Sequence, residues 1–164
     1  MAFDSTQNRL FEIKTIDLFV NECGFAGRHL GGGRKPDGII YRTEEQCGVI
    51  IDTKAYSNGY SLPISQADEM SRYIRENQTR DAAINSNHWW DNFPETISMF
   101  NFAFISSLFK GNIGVTLQRI ALDTGVNGVA ISVINLLLIA EKLKSHHLTY
   151  NDFYNQLNSN SEMA

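Results

Sequence analysis

The strongest structural signal in the chain is Arg34–Lys54, RKPDGIIYRTEEQCGVIIDTK. Two apolar runs typical of strands, GIIY and GVIID, flank the charged segment Arg42–Cys47, which predicts a hairpin loop. Asp37 precedes the first run, Asp52 ends the second, and Lys54 follows two residues later. Because residues two apart in a strand point to the same side, Asp52 and Lys54 should share a face. Pairing of the two runs as neighbouring strands would bring Asp37 to them, giving a cluster of two carboxylates and one amine.

Such a cluster indicates a metal site. Two neighbouring carboxylates repel each other, and one takes up a proton unless a cation lies between them. A site with few oxygen ligands suits Mg²⁺, which keeps several waters and uses phosphate oxygens for the rest. The expected chemistry is metal-assisted attack of water on a phosphodiester. On these residues alone, a nuclease and a plain hairpin with surface charges stay equally open, because Pro-Asp-Gly is also a turn signal.

The order Pro-Asp, spacer, Asp-x-Lys resembles the signature of the PD-(D/E)xK nuclease superfamily. The resemblance extends from about Arg9 to about Asp152 and is similar in detail to the cleavage domain of FokI-type, type IIS restriction endonucleases. The segments that carry it are GRHLGGGRKPDGIIY, GVIIDTKAYSNGYSLPISQADEM, NHWW and SLFKGN. It implies a Mg²⁺-dependent nuclease that cuts duplex DNA without local sequence preference and leaves 5′-phosphate ends. It also implies a homodimer for double-strand cleavage, and a separate DNA-recognition domain that we expect to be absent from this chain.

The resemblance also implies roles for individual residues. Asp37 and Asp52 would bind Mg²⁺ with the help of the carbonyl of Thr53. Lys54 would position or deprotonate the attacking water and offset charge in the transition state. Glu12, on the first predicted helix, aligns with a family position, and many enzymes of the superfamily place a glutamate of that helix near the metals. A solvated helix glutamate is the alternative for Glu12.

Contacts with DNA are predicted for basic residues that precede the acidic cluster. A basic rim beside a metal site would bind phosphates, although a merely charged loop is the alternative; the residues are Arg28, His29, Arg34 and Lys35. The resemblance further implies that Gln66, at the start of the helix Gln66–Thr79, faces the scissile phosphate. Paired tryptophans at Trp89 and Trp90 could stack on bases, but core packing is the favoured interpretation.

Two helices are predicted to take part in the homodimer. Asp68 and Arg72 are four residues apart, a spacing that favours an ion pair within the helix Gln66–Thr79. The resemblance instead implies that this pair engages the second subunit. Val133–Leu143 is apolar around its whole circumference, which predicts burial on two sides, one of them against a second subunit.

Composition points to one folded domain covering residues 1–164. The chain is 43% hydrophobic and 20% charged, which is typical of a globular protein. Its net charge of −4 argues against strong intrinsic DNA affinity. The start of the chain shows no export signal, and the apolar run Val129–Leu143 is too short to span a bilayer. Reduced Cys23 and Cys47 and a cytoplasmic location without membrane contact are expected.

The order of predicted elements gives an α/β fold, with a mixed central sheet flanked by helices and the active site at its edge. Ser65 is predicted to cap the helix Gln66–Thr79, and Thr149 the last helix, while the tail Asn158–Ala164 is predicted to fray. The remaining predicted elements are the helix Asn8–Glu22, the strand Phe100–Ser106, the helix Val115–Leu122, the strand Gly128–Ser132 and the helix Val133–Leu143.

Two alternative functions stay open at this point. One is a catalytically silent module kept for DNA binding or dimerisation, and the intact Asp37, Asp52 and Lys54 count against it. The other is a repair or Holliday-junction nuclease on the same core, against which the ADEM and HLGG segments favour the type IIS interpretation.

Overall fold

The computed structural model of the protein describes residues 5–56 and 58–163. The described residues form five helices, a short 3-10 helix and one five-stranded sheet. In chain order the elements are α1 (Ser5–Asn21), β1 (Ala26–His29), β2 (Gly38–Arg42), β3 (Cys47–Lys54), α2 (Ile64–Thr79), the 3-10 helix Trp89–Asn92, β4 (Met99–Ser106), α3 (Ile113–Thr124), β5 (Gly128–Ser132), α4 (Val133–Lys144) and α5 (Tyr150–Leu157).

The sheet is mixed, with the strands side by side in the order β1-β2-β3-β4-β5. β1 pairs antiparallel with β2, and β2 pairs antiparallel with β3 across the predicted hairpin. β3 and β4 are parallel, as are β4 and β5. Each parallel step needs a crossover connection, which α2 and α3 supply. The predicted α/β class with a mixed central sheet is confirmed.

Helices cover both faces of the sheet. One face packs against α1, α4 and α5, through core residues such as Phe19, Leu136 and Phe153. The other face packs against α2 and α3, through residues such as Met70 and Leu117. Because β3 lies at the centre of the sheet and is covered on both sides, its residues from Cys47 to Thr53 are all buried.

This arrangement corrects the prediction that α2 and α4 form one dimer surface. The two crossover helices α2 and α3 lie together on one face, because successive crossovers in one direction share the same hand. α4 follows the last strand and returns over the opposite face. A single continuous patch therefore cannot contain both α2 and α4.

α1 lies close to the start of β2. A Cβ atom at Gly38 would collide with the side chain of Ile16 and crowd the carbonyl of Arg28. Glycine at this position therefore lets the helix that carries Glu12 sit directly on the strand that follows Asp37.

Two further predictions about local structure are wrong. α2 begins at Ile64, two residues before the predicted start at Gln66: its N-cap is Pro63 rather than Ser65, and no side chain caps it. The tail does not fray through its described length, because Ala130 in β5 accepts a hydrogen bond from the amide of Met163 at 2.8 Å. Met163 is 4% exposed, so burial of an apolar side chain holds the tail against the sheet. The predicted cap at Thr149 is confirmed, and the structure adds Asp152, which completes a capping box with it.

Within the described ranges, no helix combines the length and the apolar character needed to cross a membrane.

Candidate active site

The register of the hairpin brings the predicted acidic residues together. Gly38 lies opposite Ile51, so Asp37 and Asp52 extend from adjacent strands at the same end of the sheet. Oδ2 of Asp37 accepts a hydrogen bond from the amide of Thr53 at 2.7 Å and another from its hydroxyl at 3.1 Å. The carboxylate that precedes β2 is thereby fixed at the end of the central strand β3.

Asp52 and Lys54 share one face of β3, as the alternation of the strand predicts. Oδ2 of Asp52 lies 2.8 Å from Nζ of Lys54. Asp52 is 5% exposed, and the pKa of its carboxyl is raised to about 7: burial is the largest cause, the charge of Asp37 adds to it, and Lys54 opposes the increase. A buried carboxylate that is costly to ionise favours a nearby cation.

Burial alone would shift the pKa values of Asp37 and Lys54 in opposite directions, yet the net shift of both is upward. Burial raises the pKa of Asp37, although the hydrogen bonds from Thr53 and the charge of Lys54 work against it. Burial by itself lowers the pKa of Lys54, but the surrounding carboxylates, led by Asp52, outweigh it and raise the pKa above its ordinary value. Lys54 is therefore held as an ammonium ion in this arrangement, and its predicted action on the attacking water stays a prediction.

The donor set of the site fits a hard divalent cation. Within residues 5–56 and 58–163, no three His, Cys, Asp or Glu side chains are grouped closely enough to hold a metal by themselves. Asp37 and Asp52 supply two carboxylates, and the backbone carbonyl of Thr53 is the further ligand that the sequence predicted. Mg²⁺ accepts such a sparse protein site, because it retains waters and takes further oxygens from a phosphate.

Glu12 does not extend into solvent from α1. Its Oε2 lies 2.9 Å from Nε2 of His29 on β1, with both side chains about one fifth exposed. The charge of Glu12 also raises the pKa of Asp37, which places the carboxylate on the side of the acidic cluster. The alternative of a solvated helix glutamate is therefore wrong, whereas a role in catalysis stays a prediction.

The basic residues predicted to contact DNA lie on β1 and on the loop between β1 and β2. Three of them line a small polar cavity of about 200 Å³ between β1 and the 3-10 helix, together with Asn87 and Asn92; they are Arg28, His29 and Lys35. Arg28 donates a hydrogen bond to Asn92 at 3.2 Å. Arg34 is exposed on the loop between β1 and β2.

Comparison with known proteins decides the family. The family model for the FokI cleavage domain matches residues 1–164. The chain belongs to the FokI cleavage-domain family. This membership agrees with the resemblance of the Pro-Asp and Asp-x-Lys segments.

Two curated relatives of the FokI cleavage-domain family are similar over most of the chain. The type II restriction enzyme FokI of Planomicrobium okeanokoites is 47% identical over 161 residues, which cover 97% of this chain and 28% of that enzyme. The type II restriction enzyme StsI of Streptococcus sanguinis is 38% identical over 145 residues, which cover 88% of this chain and 24% of that enzyme. The chain therefore spans about a quarter of the length of these relatives.

Solved structures show the same fold. The restriction endonuclease FokI superposes with a TM-score of 0.92, covering 98% of this chain and 29% of the solved chain. FokI bound to DNA superposes with a TM-score of 0.93, with 98% and 28% covered, and both are 47% identical in sequence.

The residues predicted for the dimer lie on the outer side of α2 but do not pair with each other. Oδ1 of Asp68 lies 3.6 Å from Nη2 of Arg119 on α3, and both side chains are more than half exposed. Nε of Arg72 lies 3.7 Å from Oε1 of the buried Glu76. The pair within the helix suggested by the spacing of Asp68 and Arg72 is therefore wrong. Gln66 is half-buried in the first turn of α2.

Two residues near the site were missed by sequence reasoning. Glu69 on α2 accepts a hydrogen bond from the hydroxyl of Tyr73 at 2.6 Å, and its charge raises the pKa values of Asp52 and Lys54. Its position four residues before the buried Tyr73 was an available signal that it faces inward. Tyr60 is 4% exposed, and its hydroxyl has no hydrogen-bond partner among the described residues; no sequence pattern pointed to it.

Proposed function

We propose that this domain is a Mg²⁺-dependent endodeoxyribonuclease that hydrolyses phosphodiesters of duplex DNA without sequence preference. It acts as a dimer and is directed to its target by a separate recognition domain. The observation that carries the proposal is the contact between Asp37 and Thr53, which places two carboxylates and the ammonium of Lys54 at one strand end. The relatives are type II restriction enzymes, and one solved relative is bound to DNA.

Asp37 and Asp52, with the carbonyl of Thr53, would hold the metal. When bound, Mg²⁺ supplies Lewis-acid chemistry, polarising the phosphoryl group and lowering the pKa of a water. Lys54 donates hydrogen bonds to the attacking water or to a phosphoryl oxygen, and its positive charge stabilises the charge that develops in the transition state. Water forms the new bond to phosphorus and loses a proton to solvent, while the bond to the 3′-oxygen breaks and that oxygen takes up a proton from solvent, which leaves a 3′-hydroxyl and a 5′-phosphate end.

The dimer is proposed to form through the outer surface of α2 and α3. This surface combines the exposed charges of Asp68 and Arg119 with Leu122, which is 88% exposed, and Val115, which is 65% exposed. The exposed ion pair contributes little to monomer stability, so its charges can change partners at small cost. In an isologous contact each patch faces its own copy, and Asp68 of one chain can meet Arg72 of the other.

A plasmid-nicking assay tests the proposal directly. With Mg²⁺ the parent should convert supercoiled plasmid to nicked and linear DNA, and excess EDTA should stop it. Asp37→Asn and Asp52→Asn should each reduce the rate by at least about 1,000-fold, since each removes a metal ligand. Asp17→Asn, an exposed acidic residue on α1, is the matched control and should cut like the parent.

The assay also distinguishes the alternatives. A silent binding module would shift plasmid mobility without cutting in any metal. A junction nuclease would cut a four-way junction much faster than a linear duplex of random sequence. Either result would contradict the proposal.

A further inference from the structure

The loop between β1 and β2 carries two of the predicted DNA-binding cations, Arg34 and Lys35. Its base is closed at the carbonyl of Asp37, which accepts hydrogen bonds from the amides of Leu30 at 2.9 Å and Gly31 at 3.4 Å. At the tip Arg34 adopts a left-handed backbone with φ of 57°. This conformation is unfavourable for a residue other than glycine, so contacts elsewhere must hold it.

Two asparagines hold the tip of this loop. The carbonyl of Arg34 accepts a hydrogen bond from Nδ2 of Asn85 at 3.0 Å and one from Nδ2 of Asn87 at 3.3 Å. Asn87 also donates to the carbonyl of Gly33 at 3.4 Å. The backbone N–H of Asn87 in turn donates to Oδ1 of Asn85 at 3.2 Å, which joins the two asparagines into one unit.

A buried carboxylate on α2 anchors this unit. Oε2 of Glu76 accepts hydrogen bonds from Nδ2 of Asn85 at 3.1 Å and from Nε1 of Trp89 at 2.7 Å. Glu76 is 2% exposed and Asn85 is 5% exposed, so these bonds are shielded from water. A carboxylate buried this deeply is destabilising unless its hydrogen bonds are made, and an apolar residue would fill the space without that requirement.

We propose that Glu76, Asn85 and Asn87 are positioning residues that clamp the loop so that Arg34 and Lys35 meet the DNA backbone. The inference rests on the proposed nuclease function and names the part of the fold that sets the substrate contact. The clamp acts through the carbonyl of Arg34 and touches neither the metal ligands nor Lys54.

The geometry separates this role from the chemistry. Asp37 keeps its own anchors when the clamp is lost, because Thr53 holds its carboxylate and Leu30 and Gly31 hold its carbonyl. Loss of the clamp should therefore raise the KM for DNA and leave kcat nearly unchanged. A purely structural defect would instead lower the fraction of active enzyme, and so would lower kcat without changing KM.

The first test is trypsin digestion of the DNA-free protein. Trypsin cleaves after Arg34 by attacking the very carbonyl that Asn85 and Asn87 hold, while Pro36 protects the bond after Lys35. Asn85→Ala should speed cleavage at Arg34 by about 5-fold, the effect of losing one shielded hydrogen bond on local opening. Mass spectrometry at early times identifies the site. Asn87→Ala, which alters a more exposed side chain, should also speed cleavage at Arg34. It replaces Asn85→Ala in this test if that variant folds poorly.

The second test measures DNA binding and cutting with a matched control. Asn101→Ala removes another buried asparagine, 6% exposed, whose Nδ2 donates two hydrogen bonds, to Asn127 and Asn158 at the far end of the sheet. We expect Asn85→Ala to raise the KM for a random-sequence duplex by about 5- to 10-fold and to reduce the salt slope of binding by about 1–2. The Asn101→Ala control should keep the parent's KM, salt slope and trypsin pattern. Glu76→Gln, which retains an acceptor oxygen, should fall between the parent and Glu76→Ala.

The clamp proposal would be overturned if Asn85→Ala and Asn101→Ala gave the same trypsin pattern, KM and salt slope. It would also be overturned if Asn85→Ala lowered kcat without raising KM. These outcomes differ from failure of the nuclease proposal, in which the parent itself would not cut DNA. The trypsin result does not depend on nuclease activity, so unchanged cleavage at Arg34 in both Asn85→Ala and Asn87→Ala would refute the clamp by itself.

Discussion

Replacing Asp52 with asparagine should stabilise the metal-free protein while removing its proposed activity. Burial raises the pKa of this carboxyl from an ordinary value of 3.8 to about 7. The unfolded chain releases the proton near the ordinary pKa, whereas the folded protein keeps it until about pH 7. Unfolding therefore releases a proton between about pH 4 and about pH 7, and the free energy of unfolding falls as the pH rises through that window.

The structure sets the size of the effect. A pKa difference of roughly 3 corresponds to about 4 kcal/mol, which is the upper bound on the cost of an ionised Asp52 above about pH 7. Asparagine fills the same volume but leaves Lys54 without its partner at 2.8 Å, and only more distant carboxylates such as Asp37 then offset the ammonium. That loss cancels part of the gain. We expect Asp52→Asn to be about 1–2 kcal/mol more stable than the parent at about pH 8 in EDTA.

Urea unfolding in EDTA between about pH 5 and about pH 8 measures this difference. The difference in the free energy of unfolding between Asp52→Asn and the parent should increase as the pH rises. The exposed control Asp17→Asn should show no such difference from the parent. Adding Mg²⁺ should raise the stability of the parent far more than that of Asp52→Asn, because binding to the folded state is linked to folding. A variant less stable than the parent at about pH 8, or a gap independent of pH, would refute the reasoning.

Three further predictions follow from the same contacts. Lys54→Ala should lower the single-turnover rate by about 100-fold or more but leave Mg²⁺ affinity within about 3-fold, as measured by Mg²⁺ titration, because the ammonium stabilises the transition state rather than the metal. Asp68→Arg and Arg72→Asp should each cut duplex DNA poorly alone, and a mixture should recover double-strand cleavage, because only the mixed dimer pairs opposite charges; a mixture no better than either variant would exclude this contact. Met163→Ala should lower the free energy of unfolding by about 2–4 kcal/mol in a urea titration, since Met163 is 4% exposed.

The geometry of the candidate site was predictable because its signals are local. Strand alternation placed Asp52 and Lys54 on one face, and the hairpin pairing brought Asp37 to Thr53. The bounds of β5 (Gly128–Ser132) agree with the predicted strand, since a short apolar run ends where the helix α4 begins. Each of these inferences needs only neighbouring residues and the period of the backbone.

Contacts between distant elements could not be predicted in this way. Spacing favoured Arg72 as the partner of Asp68, yet packing of α3 beside α2 offers Arg119 instead. His29 was grouped with DNA-binding cations, and only the position of α1 over the sheet reveals its contact with Glu12. The docked tail depends on the free edge of β5, where Ala130 binds Met163. In each case the deciding partner lies far away in sequence.

The distribution of charge is consistent with the proposal that this domain binds DNA weakly by itself. The chain has 18 acidic and 14 basic residues, and its buried Asp52 lies at the proposed metal site, where a phosphate would approach. Without a cation these groups repel the backbone, and only a few nearby cations such as Arg34 and Lys35 attract it. Each cation adds one phosphate contact, so affinity stays low and depends on how accurately those few are placed. Tight binding to random sequence would hold the domain away from any target, because non-specific sites vastly outnumber specific ones. An acidic domain with a small basic loop therefore fits the proposed division of labour, in which a separate domain would supply affinity and this one would supply chemistry.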